Sequence, residues 1–308
     1  MDRMAFAGGG LDRAAQLRGS DAWRDGAVLV PVWRGKVCIG EGDRLVRLAS
    51  GDPALAEGVA PVLIGLDGAQ AVAAVDISAW TPPTLPETQL FFDPTEQVHP
   101  DIPGRFVELR GVMNLLAPMD AEIAATARAL TGWHGSHRFC SACGQPSEPR
   151  QSGWQRVCPA CTAAHFPRTD PVVIMLISRG DSVLIGRSPG WPEGMYSCLA
   201  GFIEPGETVE AAVRREVSEE TGIRVAAVGY AASQPWPFPA SLMLGMVGAA
   251  ETETITLDPA ELEDARWITR TELAEVMAGT HGSLKAPRPG AIAGWLLSQW
   301  LSGQLRGI

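Results

Sequence analysis

The sequence predicts an α+β protein in three parts: a small β-rich domain over residues 1–118, a helix and four-cysteine zinc ribbon over 119–167, and a further domain over 168–308. Three observations predict it. Short apolar runs punctuated by turns fill the N-terminal third, two Cys-x2-Cys pairs follow, and an Ala-, Glu- and Arg-rich helical stretch follows a Gly-containing approach in the last third. At 308 residues the chain is long enough for more than one domain.

The elements follow in order. Residues 27–33, 37–40, 44–49 and 62–75, the last broken by Asp67-Gly68, read as strands, with Arg34-Gly35 as a turn. Pro82, Pro83, Pro86, Pro94, Pro100 and Pro103 mark a loop region. Residues 121–133 read as a helix leading into the cysteine pairs. Beyond them, 172–177 and 182–187 form a hairpin around Gly180-Asp181, Trp267 and Ile268 a strand, 272–277 a short helix and 291–301 an amphipathic helix. The most apolar windows, 171–177 and 291–301, are too short to span a membrane. The net charge of −10 disfavours general affinity for nucleic acid or anionic membrane. It leaves room for an anionic substrate, because bound metal ions reverse the local field.

Residues 201–223 read G-F-I-E-P-G-E-T-V-E-A-A-V-R-R-E-V-S-E-E-T-G-I. The stretch 208–221 lacks Gly and Pro and predicts a helix with Gly222 as its stop. At about 100° per residue, Glu216 and Glu220 share the direction of Val209, Ala212 and Val213, with Glu219 beside them. A solvated charged face would oppose the apolar stripe. Carboxylates inside the stripe must be paired or must bind cations. Oxygen ligands at i, i+3 and i+4 suit Mg2+ or Mn2+, ions that bridge phosphate oxygens and activate water. Arg215 lies one turn before Glu219 and could orient it, while Gly201 and Pro205-Gly206 let the backbone approach a ligand.

Cys140-Ser-Ala-Cys143 and Cys158-Pro-Ala-Cys161 have the spacing of a tetrahedral Zn2+ site, one ion per chain, structural because all four positions are filled. Two disulfides would require secretion, yet Asp2, Arg3, Asp12, Arg13 and Arg18 interrupt any signal-peptide core. A redox Cys-x-x-Cys would explain one pair. Cys38 and Cys198 read as buried core thiols. In residues 233–243, S-Q-P-W-P-F-P-A-S-L-M, alternate prolines make Trp236 and Phe238 rigid surfaces. Core packing and stacking on a heteroaromatic ligand account for that composition equally well.

Residues 201–223 match the Nudix box, the signature of hydrolases that cleave a nucleoside diphosphate linked to another group. Together with the four cysteines, the Phe166-Pro-Arg-Thr-Asp-Pro171 link and the Pro-aromatic stretch, in that order, the chain resembles the NADH pyrophosphatase family of Nudix hydrolases. The resemblance implies a Nudix fold, a mixed sheet sandwiched between helices, from about residue 168. It implies hydrolysis of NADH or NAD to (reduced) nicotinamide mononucleotide and AMP, and of the same linkage at NAD-capped RNA 5′ ends. Glu216, Glu219, Glu220 and Glu261 would be catalytic and hold the metal, joined by the Ala200 carbonyl. Gln234, Pro235, Trp236, Pro237, Phe238, Pro239, Ala240 and Ser241, with Phe166, Phe202, Arg110 and Ala293, would contact substrate. Phe166 stands where some members carry Tyr. The family also implies a cytoplasmic homodimer. Two other readings are carried: a Nudix hydrolase of ADP-ribose or diadenosine polyphosphates, and a nucleotide-sensing regulator, which would lack box carboxylates that are all present here.

Overall fold

The sequence V-L-V-P-V-W at Val28–Trp33 (β1) is buried at every residue but the first, as a central strand requires. The computed structural model describes residues 3–83 and 93–305; the expected loop proline Pro86 lies outside them. The chain divides into two units, one of Phe6–Thr169 with Trp236–Ala240, the other of Met1–Ala5, Asp170–Pro235 and Ser241–Ile308.

In the first unit β1 pairs antiparallel with Lys36–Ile39 (β2), and Arg34 and Gly35 turn between them with φ of 47° and 76°, the two positive values that tight hairpins favour. Leu48–Ala49 (β3), Val62–Asp67 (β4), Gln70–Asp76 (β5) and Arg105–Val107 (β6) complete a sheet of order β4-β5-β1-β2-β6, with β3 beside β1. The expected strand at 44–49 shrinks to β3. The backbone N–H of Leu45 is drawn instead to Asp120 Oδ2 at 3.0 Å. A short turn of helix, Leu109–Val112 (α1), precedes Pro118–Ser136 (α2), which starts on Pro and buries Ile123, Ala124, Ala127, Leu130 and Trp133. The strands Glu148–Arg150 (β7), Gln155–Val157 (β8) and Ala164–His165 (β9) form a separate antiparallel ribbon.

The second unit is built on Asp170–Arg179 (β10). It runs antiparallel to Ser182–Arg187 (β11) and to Leu199–Phe202 (β12), and parallel to Ser241–Ala250 (β14). With Val225–Trp236 (β13) and Asp264–Thr269 (β15) the order is β13-β14-β10-β11-β15. Three helices complete it: Val209–Thr221 (α3), Arg270–Ala278 (α4) and Ile292–Leu301 (α5). Successive side chains of β10 point to opposite faces. Val173, Met175 and Ile177 pack with Ala212, Val213 and Val217 of α3. Ile174 and Leu176 pack with Leu273 of α4 and Ile292, Leu296 and Trp300 of α5. The mixed sheet is therefore sandwiched between helices, as expected.

The Pro-aromatic stretch is not one loop. Ser233–Trp236 ends β13, Pro237–Ala240 turns, and Ser241 opens β14. Pro235 lies in β13 at the edge of the sheet, the position where strands accommodate proline. Among the described residues no helix is long and apolar enough to cross a membrane.

Candidate active site

Thr208 caps α3, its hydroxyl accepting from the N–H of Ala211 at 3.2 Å, and Gly222 ends the helix at φ 69°. Between these ends Ala212, Val213 and Val217 enter the core, and so do Glu216 and Glu220, 9% and 7% exposed. Glu261 reaches them from a turn fastened to the same helix: the Asp258 N–H donates to the Glu220 carbonyl at 3.1 Å and the Glu261 N–H to that of Asp258 at 3.2 Å. Glu216, Glu220 and Glu261 each bring a carboxylate oxygen within 4.8 Å of the other two.

Burial, reinforced by the charges of Glu216, Glu261 and Glu219, pushes the Glu220 carboxyl up to about 8. Its Oε2 is buried with no hydrogen-bond partner. Glu216 is also raised, by burial first, with Arg215 opposing. Three carboxylates brought this close, one with an orphaned oxygen, fit a hard divalent cation, which would supply the counter-charge they lack.

Arg215 fixes the approach to this cluster. It grips Glu207 through Nε and a terminal nitrogen, both at 2.9 Å, and donates to Glu216 at 2.8 Å, Glu219 at 3.0 Å and the Phe202 carbonyl at 2.9 Å. That grip holds Glu207 below the usual carboxylate range. Glu219, whose side chain is 52% exposed, is drawn to Arg215 and lies outside the converging trio.

Gly201 has a role beyond admitting a ligand. A Cβ there would lie 1.9 Å from Glu216 Cδ, so the glycine makes room for the carboxylate itself. Gly201→Ala is expected to push Glu216 out of register and cut turnover about a hundredfold, the usual cost of a displacement near 1 Å, with little loss of melting temperature. Wild-type kcat in that variant would contradict the role given to Glu216. Ala200, exposed, precedes Gly201 in β12, and Phe202 after it is 58% exposed.

Other expected contact residues have different surroundings. Gln234 is wholly buried: its amide nitrogen donates to the carbonyls of Ala5 at 2.9 Å and Gly290 at 2.7 Å, and its oxygen accepts from the N–H of Ile292 at 2.8 Å. It thereby caps α5, whose own Ala291 offers no side chain to do so. Pro235 is half-buried beside it, and Ser241 pairs with Asp170. Ala293, 6% exposed, packs in the α5 core.

In the other unit, Trp236, Pro237, Phe238, Pro239 and Ala240 bring the Phe238 ring against Trp236, at 5.0 Å between centroids and edge-on, and 6.3 Å from Phe6. The guanidinium carbons of Arg110 and Arg128 stand 4.7 and 4.8 Å from that ring. Arg110 is also hydrogen-bonded to the buried Glu108. Arg128, held below its ordinary value by burial, has an orphaned Nε. Sequence reasoning passed over Arg128. The available signal was its place on α2 one turn after the buried Ala124, a long cation on the inward face of an Ala-rich helix. Phe166 in this unit is 66% exposed.

The four ribbon cysteines bring their sulfurs within 4.8 Å of one another. Cys140 and Cys161 are 3.6 Å apart and Cys143 and Cys158 3.5 Å, far beyond a disulfide bond of about 2.05 Å. Four thiols with no open position match a structural zinc site, and His165 Nε2 lies 3.2 Å from Cys140 Sγ. Cys38 and Cys198 are buried, which pushes both thiols up to about 12.

Three family models match the chain: a NADH pyrophosphatase-like rudimentary NUDIX domain at 26–133, a NADH pyrophosphatase zinc ribbon domain at 136–166 and a NUDIX domain at 167–286. The NAD-capped RNA hydrolase NUDT12 of Homo sapiens is 43% identical over 197 residues, 60% of this chain but only 43% of that protein. The NAD-capped RNA hydrolase NudC of Mycobacterium bovis is 38% identical over 209 residues, 65% of this chain and 67% of its own length. A solved NUDIX hydrolase from Nitrosomonas europaea aligns with 56% of this chain and 96% of its own at 20% identity and a TM-score of 0.44. The chain belongs to the NADH pyrophosphatase family of Nudix hydrolases.

Proposed function

We propose that the chain is an NAD(H) diphosphatase that hydrolyses the pyrophosphate of NADH or NAD to (reduced) nicotinamide mononucleotide and AMP, and removes NAD caps from RNA. The observation that carries the chemistry is the convergence of Glu216, Glu220 and Glu261 around an orphaned buried oxygen. The relatives' names support the substrate. Glu216, Glu220 and Glu261 would hold Mg2+ or Mn2+, aided by the Ala200 carbonyl. A divalent cation bound there would supply charge neutralisation for the diphosphate and lower the pKa of a bound water. Of the candidate bases Glu219, Glu220 and Glu261, Glu219 is our choice for taking the proton from the attacking water, because it is paired with Arg215 outside the trio. The division into residues 1–118, 119–167 and 168–308 assigns this chemistry to the last part. A cytoplasmic homodimer is the state the family suggests, and sedimentation velocity tests its stoichiometry.

The substrate reading is tested by turnover of NADH, NAD, ADP-ribose and NAD-capped RNA, measured side by side, before and after Phe238→Ala. A stacking surface is worth about 1–3 kcal/mol per stacked ring and helps only substrates that place a ring on it. The ratio of kcat/KM for NADH over ADP-ribose should therefore fall roughly 5- to 150-fold in the variant. An unchanged ratio with both activities intact would assign Phe238 to packing of Arg110 and Arg128 alone and leave a Nudix hydrolase of other dinucleotides.

A further inference from the structure

A pocket of about 820 Å³ lies wholly among residues of the first unit. One wall is apolar, formed by Val59, Pro61, Val62 and Ala74. The lining also holds Arg18, Arg24, Arg138, Arg150 and Arg156 against two carboxylates, Asp21 and Asp76. Arg24 is paired with Asp21 at 2.7 Å and Arg150 with Glu148 at 2.6 Å. Arg18, Arg138 and Arg156 have no carboxylate within ion-pair distance among the described residues. This concentration occurs in a chain of net charge −10.

The three unpaired arginines are not simply waving in water. Arg156 is 6% exposed and held by neutral acceptors: Nε donates to Ser147 Oγ at 2.8 Å, and its terminal nitrogens to the Ser147 carbonyl at 2.5 Å and to His134 Nδ1 at 2.9 Å. His134 in turn meets the Gly153 carbonyl through Nε2 at 2.8 Å, which leaves Nδ1 to accept. Arg18 lies on the Trp154 ring, 3.8 Å from its centroid, with Nε buried and without a partner. Burial and like charge depress both cations, Arg138 acting on Arg156 and Arg13 on Arg18. Holding cations together in a partly buried wall without a counter-ion is unfavourable unless an anion completes the set.

We propose that this pocket binds a phosphate-bearing small molecule of mononucleotide size, with its phosphate on Arg18, Arg138 and Arg156 and its organic body against Val59, Pro61 and Val62. Guanidinium groups match phosphate geometry in pairs of parallel hydrogen bonds. The volume falls within the range of small-molecule sites, about 300–1,000 Å³. The site lies outside the carboxylate centre and does not depend on the activity assigned to it.

The test is calorimetric titration of the zinc-loaded chain with AMP, inorganic phosphate and an uncapped tetraribonucleotide lacking a 5′ phosphate. No Mg2+ or Mn2+ is added, so the glutamate trio repels these anions. AMP should bind at one site per chain, more tightly than inorganic phosphate, which leaves the apolar wall uncovered. Arg138→Glu, at an exposed position, should weaken AMP at least tenfold at unchanged melting temperature, and Glu220→Gln should leave that binding untouched. Three results would overturn the proposal: no binding of AMP at millimolar concentration, equal affinity in Arg138→Glu, or tetraribonucleotide binding sensitive to Arg138→Glu where AMP does not bind.

Discussion

Glu220→Gln is expected to reduce hydrolysis by about three orders of magnitude while leaving the fold intact, because a metal-held transition state draws several kcal/mol from its ligands and each 1.4 kcal/mol is worth about tenfold. Glutamine preserves the shape of a side chain that is 7% exposed and removes its charge. The structure adds a second, independent readout. Glu220 in the folded chain titrates near 8, against 4.5 when unconstrained. A carboxyl raised in this way contributes stability that is complete below the unfolded value and lost as pH climbs through the folded one. Without added divalent cation, the wild type should therefore lose stability relative to Glu220→Gln between about pH 4.5 and 8. Added Mg2+ or Mn2+ should stabilise the wild type more than the variant, since the ligand favours the folded state that binds it. Wild-type turnover in Glu220→Gln would remove this residue from the site; parallel pH–stability curves for the two proteins would contradict the buried, repelling cluster.

Much of this site was legible because helix periodicity and metal chemistry point the same way. Glutamates inside the apolar stripe of 208–221 announce inward carboxylates, and the structure turns Glu216 and Glu220 inward beside Val213 and Val217. The cysteine spacing was equally direct. What escaped depends on contacts between residues far apart in sequence. Gln234 resembles a ligand-binding polar residue until its three partners are seen, at residues 5, 290 and 292. Gly201 reads as a flexible approach, whereas the space it leaves is filled by Glu216 from α3. The long strands β13 and β14 were missed because their small Ala and Gly residues give weak alternation, and the prolines after Ser233 suggested a loop where an edge strand accommodates Pro235. Arg128 needed the Phe238 ring to disclose its purpose.

Cys140→Ser should have the largest effect on stability, for a reason visible in the ribbon's interior. Between residues 138 and 169 the buried residues are Cys140, Ser147, Gly153, Arg156 and Cys158. None is a large aliphatic or aromatic residue, so the three short strands have no apolar core of their own to hold them. Apart from hydrogen bonds to the rest of the unit, such as Trp154 Nε1 to the Leu63 carbonyl at 2.7 Å and Arg156 to His134 at 2.9 Å, the main source of order is the tetrathiolate cluster. A structural zinc contributes about 10–16 kcal/mol of apparent binding free energy in isolated zinc-finger peptides. Removing one thiolate should abolish stoichiometric zinc and lower the melting temperature and solubility of the chain. The carboxylates sit on α3 and the turn that carries Glu261, so the kcat of whatever fraction remains folded should stay within a few-fold of wild type. Metal analysis after purification in chelator-free buffer, melting curves and active-site-normalised turnover measure the three quantities. A chain that carries no zinc as purified, or keeps its melting temperature with all four thiols alkylated, would show that the ribbon is held by something other than metal. Selective loss of chemistry at an unchanged melting temperature would instead make the ribbon part of the catalytic apparatus.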